Sequence, residues 1–181
     1  MGIGDGPVIL AAGRDHTSCL QLLIDAKANF EAKNHEGTTA LIAAAVQGHI
    51  TCVQLLIDAK ADVNAVDTRH RGNALMAATS TGQNACVQML IGAKAHLEAT
   101  DDTCMTALLR AAVEGHTACL QTLIDAKANI HATESTLRYT ALILATAAQR
   151  APCVQRLLDA RANHAAVDRF GRNAMTYAGG L

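Results

Sequence analysis

The chain is nearly devoid of aromatic residues. Tryptophan is absent from its 181 residues, and tyrosine and phenylalanine occur twice each. Half of the residues are apolar, so a core is available, but it has to be assembled from Ala, Leu, Ile and Val. Side chains that small let helices pack closely, at about 8–10 Å between axes. A charge excess is also missing: 15 basic and 16 acidic residues leave a formal net charge of −1. A generic polyanion binder would carry a basic surplus, so nucleic acid is not an expected partner. No apolar run approaches the roughly 20 residues of a membrane span, and no membrane insertion is expected. Residues 1–6 lack the basic region and hydrophobic stretch of a secretory signal. The hydroxyl residue that a myristoylation pattern needs after Gly2 is missing as well.

Against these absences one string stands out. Cys-Leu/Val-Gln-x-Leu-Ile/Leu-Asp/Gly-Ala-Lys/Arg-Ala begins at Cys19, Cys52, Cys86, Cys119 and Cys153, with spacings of 33, 34, 33 and 34 residues. Self-similarity at this period is the mark of a solenoid, in which no unit buries its apolar face without a neighbour. The expected architecture is one all-α domain over 1–181, with units at about 1–36 (partial), 37–71, 72–104, 105–138, 139–171 and 172–181 (partial). In the second unit Thr38 or Thr39 can cap a helix over 40–46, and Gly48 with His49 breaks it. A second helix over 51–59 carries apolar residues at i, i+3 and i+4 from Cys52. An arm of alternating character, 61–67, then leads to the loop 68–72.

The sixth cysteine, Cys104, lies outside the ladder, in a loop where a thiol can be reached. Ladder positions one repeat apart are separated by about one helix spacing, roughly 10 Å. That exceeds the ~7 Å between Cα atoms that a disulfide allows, and zinc needs several sulfurs at about 2.3 Å from one ion. The five ladder cysteines are therefore expected to be buried free thiols in a reducing compartment, intracellular and cytoplasmic, with an organellar complex as the alternative.

The order Gly-x-Thr-Ala-Leu-x-x-Ala-Ala-x-x-Gly-His, then Leu-Leu-Ile, then Ala-Asp-Val-Asn-Ala-x-Asp, spanning 37–67, resembles the ankyrin repeat. Residues 106–129 repeat it well, with Gly115-His116 echoing Gly48-His49; Gly82-Gln83 and Gln149-Arg150 depart from it. The resemblance covers nearly the whole chain. It implies antiparallel helix pairs stacked into a curved slab, with hairpin-like fingers along one edge. Two departures stand out. The family's Pro after the opening Thr is Ala at 40, 74, 107, 141 and 174. The Gly that ends the second helix is replaced by Lys27, Lys60, Lys94, Lys127 and Arg161. A left-handed backbone at those five residues would store about 1 kcal/mol each, partly offset by about 0.3–1 kcal/mol from a cation at a helix C-terminus. Asp25, Asp58, Asp125 and Asp159 precede four of these cations by two residues, so the ridge is charge-balanced except at Gly92.

Catalysis is not expected. There is no H-E-x-x-H, no phosphate-binding Gly-rich loop after a strand, and no Cys–His or Ser–His pairing. The Gly-rich residues 2–6 follow no strand. His16, His49 and His116 occupy the inter-helix turn, where the resemblance implies bonds to local backbone. No catalytic residue, cofactor or metal ligand is assigned.

Recognition is expected where the repeats differ. The finger tips vary most, and the resemblance adds the inner face of the first helices as a contact surface. The candidate partner-binding residues are Arg69, His70, Arg71, Asp101, Asp102, Met105, Leu137, Arg138, Tyr139, Arg169, Phe170 and Arg172 in the fingers, with Gln47, Thr81 and Glu114 on the helices. Arg and aromatic residues are frequent interface anchors. The function implied is a non-catalytic scaffold that binds a protein. Two alternatives stand beside it: a structural or peripheral subunit of a larger, membrane-associated or organellar complex, and a regulatory segment of a longer enzyme or channel. Residues 6–12 open without a preceding arm and 173–178 lack a second helix. Solenoids need polar end caps and neither end has an evident one, so a flanking domain or covering partner is expected.

Overall fold

The computed structural model describes residues 6–179, so the Gly-rich residues 2–5 and the readings that fall on them lie outside it. Eleven helices follow one another, and no strand forms among the described residues. They divide into two compact units that meet between His96 and Leu97. The first unit holds α1 (Pro7–Gly13), α2 (Thr17–Asp25), α3 (Ala40–Gln47), α4 (Ile50–Asp58), α5 (Ala74–Ser80) and α6 (Asn84–Gly92). The second holds α7 (Ala107–Glu114), α8 (Thr117–Asp125), α9 (Ala141–Ala147), α10 (Ala151–Asp159) and α11 (Ala174–Gly179). Within the first unit α3 packs between α1 and α5, and α4 between α2 and α6. Within the second, α9 packs between α7 and α11, and α8 against α10. This is the helix-pair architecture of a solenoid.

Each first helix starts on a side-chain cap. The oxygens of Thr39, Asn73, Thr106 and Thr140 accept from the backbone N–H groups of Ile42, Met76, Leu109 and Ile143. Such a cap contributes about 1 kcal/mol. At α1, Gly6 offers no side chain, and Pro7 instead presets the first turn. Small residues line the faces between neighbouring first helices: Ala44 and Ala45 in α3 and Ala78 in α5 are fully buried. The turn to the second helix passes through a left-handed Gly48, where an added Cβ would meet the Gln83 side chain at 2.3 Å. Asp15 and Gln149 hold the same left-handed turn without glycine.

The second helices bury a stripe different from the one expected. Cys52, Val53 and Leu56 are buried, as are Cys86, Val87 and Leu90, and Cys119, Leu120 and Leu123. The spacing is i, i+1 and i+4; Leu55, at i+3, is half-buried, and the equivalent Leu22 is 69% exposed. A fully buried Leu contributes about 1.5–3 kcal/mol, so these ladders carry much of the packing between second helices.

The cysteine ladder also needs one correction. Cys52, Cys86, Cys119 and Cys153 are buried, but Cys19 is exposed. The reason lies in the direction of the thiols. Cys52 Sγ faces Asp15 (3.5 Å) and Thr17 (3.7 Å) of the preceding repeat, and Cys153 faces Thr117 (3.4 Å). For Cys19, in the first second-helix, no preceding helix pair covers the thiol among the described residues. Burial raises the thiol pKa of Cys52 and Cys86 and pushes Cys119 up to about 11, which disfavours the reactive thiolate. Cys104 is partly exposed in its loop.

Each second helix ends in the expected left-handed cation. Lys27, Lys60, Lys94, Lys127 and Arg161 have φ between 57° and 70°. The next residue closes the turn, as in Ala61 N–H to Leu56 C=O at 2.9 Å, a Schellman arrangement. The aspartates two residues earlier are also hydrogen-bonded within their helices. Asp25, Asp58, Asp125 and Asp159 each accept from the Gln side chain four residues before them, at 2.7–2.9 Å. Gly92 leaves Gln88 without that acceptor.

The left-handed lysines make a direct test of backbone strain. Lys60→Gly and Lys60→Ala both lose the cation at the helix C-terminus, and the glycine variant is expected to be the more stable of the two by about 0.5–1 kcal/mol, the relief of the Cβ clash less the greater freedom of the unfolded chain. Urea unfolding should show a later midpoint for Lys60→Gly than for Lys60→Ala, which keeps the Cβ. An earlier midpoint for the glycine variant would contradict the strain.

Candidate functional site

Five fingers precede the first helices, at 34–38, 67–72, 101–105, 134–139 and 168–172. Each closes on a backbone bond between its first and last residues: Asn34 to Thr38, Asp67 to Gly72, Asp101 to Met105, Glu134 to Tyr139 and Asp168 to Arg172, at 2.9–3.2 Å. Each also ends on or next to a left-handed residue: Gly37, Arg71, Cys104, Arg138 and Gly171. The second and fourth fingers are one residue longer, and in both an isolated antiparallel bridge forms, Val66 with Asn73 and Thr133 with Thr140.

The first residue of every finger is Asn, Asp or Glu, and its side-chain oxygens accept from the finger's own N–H groups. Asn34 Oδ1 accepts from Glu36 and Thr38, and Asp67 Oδ1 from His70. Asp101 Oδ1 accepts from Thr103 and Met105, and Asp168 Oδ1 from Phe170 and Arg172. Glu134, one methylene longer, reaches three donors: Thr136, Leu137 and Tyr139. In two fingers the second carboxylate oxygen binds a helix residue nine positions on. Arg110 Nε donates to Asp101 Oδ2 at 2.9 Å, and the Tyr177 hydroxyl donates to Asp168 Oδ2 at 2.7 Å. Arg172 Nε adds a bond to the same Asp168 oxygen at 2.9 Å.

These contacts explain the titration of the carboxyls. Burial alone would raise the pKa of Asp101, Glu134 and Asp168. The bonds outweigh it and hold all three below the ordinary range: Thr103, Met105 N–H and Arg110 for Asp101; the three finger N–H groups for Glu134; and Arg172, Tyr177 and Phe170 for Asp168. Tyr177 moves the other way. Burial, then the hydrogen bond with Tyr139 and the adjacent Asp168 carboxylate, raise its hydroxyl well above the usual value.

The residues singled out in the sequence fall into two groups. Asp101 and Met105, expected at a solvent-facing tip, are buried at 7% and 8% exposure. Asp101 gathers the finger's N–H groups and holds Arg110, so both of its oxygens point inward. Tyr139 and Leu137 are half-buried. The Tyr139 ring meets that of Tyr177 edge to face, with centroids 6.0 Å apart. Arg69, His70, Arg71, Asp102, Arg138, Arg169 and Phe170 are exposed. Arg69 pairs with Glu36 at 2.8 Å, both side chains being more than half exposed, an arrangement that contributes little. Backbone bonds tie neighbouring fingers, Thr68 N–H to Glu36 C=O and Arg169 N–H to Leu137 C=O, both at 2.9 Å.

In the last finger Phe170 is 63% exposed. The Arg172 guanidinium lies 4.8 Å from its centroid and that of Arg169 5.8 Å, while Arg172 also lies 4.9 Å from the Tyr177 ring. Gln47 and Glu114 are exposed at the ends of α3 and α7. They are separated from the fingers of their own repeats by a helix length of about 12 Å. Thr81 is exposed, but its hydroxyl donates to the Val46 carbonyl at 2.9 Å. His49 reaches further than the local backbone: its Nε2 lies 3.2 Å from the carbonyl of Gly13 in the preceding repeat. Arg150 Nε likewise donates to Val113 C=O at 3.1 Å. In both cases a residue of the turn after a first helix ties that helix to the first helix before it.

Arg110 and Tyr177 were missed in the sequence. A signal for them existed in the recurrence of Asn or an acid at 34, 67, 101, 134 and 168, which marks a position under structural constraint. Among the described residues no cluster of three His, Cys, Asp or Glu could hold a metal, and no helix is long and apolar enough to cross a membrane.

Helix pairs joined by fingers whose bases are fixed inside define a helical repeat protein. The sequence pattern described as ankyrin repeats, in three copies, matches residues 2–67 and 66–134. The chain belongs to the ankyrin-repeat family. The crystal structure of the human ASB11 ankyrin repeat domain superposes with a TM-score of 0.87 at 25% identity, covering 98% of this chain and 78% of that one. Comparison with curated protein sequences gives no match. Ankyrin repeats are general protein–protein interaction modules.

Asp101→Asn keeps one acceptor, as Asn34 does naturally, but removes the charge that Arg110 holds. A loss of about 1–2 kcal/mol at neutral pH is expected. A carboxyl whose folded pKa is depressed stabilises fully above its unfolded value, near 3.9, and loses that contribution as pH falls through the folded value. The gap in unfolding free energy between wild type and Asp101→Asn should therefore be constant above about pH 5 and close below about pH 4. A gap that does not change with pH would show that the charge plays no part.

Proposed function

We propose that the chain is a non-catalytic module of one ankyrin domain that binds another protein through its finger tips. One observation carries this reading. The acids at the bases of the third, fourth and fifth fingers are turned inward to fix the loops, and the arginines of the tips and Phe170 are left outside. Asp101, Glu134 and Asp168 are buried, whereas Arg69, Arg71, Arg138 and Arg169 are exposed. A rigid loop loses little conformational entropy on binding, and Arg with an exposed aromatic ring supplies the usual anchors. Stacking of Arg172 and Arg169 against Phe170 holds the ring outward in a defined orientation. Gln47 and Thr81 in the first unit, and separately Glu114 in the second, are proposed as accessory contacts at the helix ends.

Two variants test the tips within each unit separately. Arg69→Ala with Arg71→Gly alters the second finger, and Arg169→Ala with Phe170→Ala alters the fifth. Circular dichroism of both should match the wild type. Titration against a partner recovered from the native source should show affinity reduced about tenfold or more in at least one of them. Wild-type affinity in both would overturn the assignment of the tips.

A further inference from the structure

Beneath the fourth and fifth fingers the two arms of the second unit enclose an open groove of about 370 Å³. Its size is at the small end of ligand cavities, room for a few side chains. The floor is apolar, from Ile130, Ala162, Ala166 and Val167, and the last of these is 43% exposed. Arg138 and His131 stand at the polar wall, and no carboxylate lines the groove.

The charge at this place is unbalanced by construction. Glu134 and Asp168, the acids at the base of the two fingers, are buried at 6% and 2% exposure. Both oxygens of Glu134 accept from backbone N–H groups of its own finger. Both of Asp168 are engaged by N–H groups, Arg172 and Tyr177. The guanidinium of Arg138 forms no hydrogen bond or ion pair among the described residues. Arg138 is also held at φ 61°, a conformation that glycine would adopt without strain. An exposed cation beside apolar side chains, in a groove that no carboxylate lines, is complementary to one carboxylate next to a small apolar side chain. Nucleic acid fits poorly, since phosphate recognition draws on several cations along a backbone.

We infer that this groove binds a short acidic segment of a partner protein, with Arg138 taking a carboxylate and Val167 and Ile130 taking the adjacent apolar side chain. The inference rests on the proposed role as a protein-binding module and specifies the chemistry of the partner at one place in it.

The probe is a fluorescent peptide of three Glu-Val-Ser repeats, compared by anisotropy with its Gln-Val-Ser counterpart on the intact chain. The acidic peptide should bind roughly tenfold more tightly. Arg138→Gly should abolish that preference while leaving the chain as stable as the wild type or more so, which separates lost binding from lost folding. Val167→Ser should weaken both peptides. Equal binding of the two peptides, binding of neither, an unchanged preference in Arg138→Gly, or equal competition by a single-stranded oligonucleotide would each overturn the inference. If a native partner depends on Arg169 and Phe170 but not on Arg138, the groove assignment fails and the module stands. If no partner depends on any finger, the module reading itself fails.

Discussion

At the base of each finger, one side-chain oxygen gathers the N–H groups of the loop it begins. The rest of the exposed surface depends on that interaction. A five- or six-residue loop has too few contacts to fix its own backbone, and its N–H groups need acceptors when they turn away from water. Asn34, Asp67, Asp101, Glu134 and Asp168 supply them from inside. A hydrogen bond to a charged acceptor contributes more than a neutral one, which suits the buried acids in the third and fifth fingers, where Arg110 and Arg172 neutralise the charge. Because the base acids Asp101, Glu134 and Asp168 face inward, Arg71 and Arg138 outside have no carboxylate partner among the described residues, whereas Arg69 pairs with Glu36. The basic character of the tips follows from how the loops are held, in a chain whose total charge is close to zero.

The helices beneath impose a second constraint. First helices are flanked by neighbours and use Ala where they touch; second helices bury only a narrow stripe. Ties across repeats, such as His49 to Gly13 and Arg150 to Val113, sit at the opposite end of the first helix from the fingers. α3 and α9 are thus fixed at both ends, by cap and finger at one and by a cross-repeat bond at the other. The left-handed lysines show that the stack tolerates a strain repeated five times, because the Schellman turn after each second helix satisfies the backbone.

Much of this was legible from residue spacing. The period, the helix pairs, a threonine cap at 38 or 39 and the Gly48 turn follow from local rules of capping and sterics; that Lys27, Lys60, Lys94, Lys127 and Arg161 are left-handed was only one option in the sequence, and the structure decides it. What escaped the sequence depends on contacts between repeats or between a loop and its helix. Cys19 reads like its four counterparts, yet only the preceding repeat decides whether such a thiol is covered. Leu22 and Leu55 fit an amphipathic count, but the packing direction places the +1 residue, not the +3 residue, inside. Asp101 and Met105 look like tip residues because finger sequences vary, and variation does not distinguish an inward side chain from an outward one. Arg110 and Tyr177 sit in helices, nine residues beyond the finger acids, and only the folded loop brings them to the carboxylates.

The most direct measurement is amide hydrogen exchange, read residue by residue in the wild-type chain by NMR. The N–H groups of Glu36, Thr38, Thr103, Met105, Phe170 and Arg172, which the base oxygens accept, should exchange slowly. Those of Arg69, Ser135 and Arg138, in the second and fourth fingers, meet no acceptor among the described residues and should exchange near the rate of an unstructured peptide. Fast exchange across both sets would contradict the claim that one inward-facing acceptor fixes each finger.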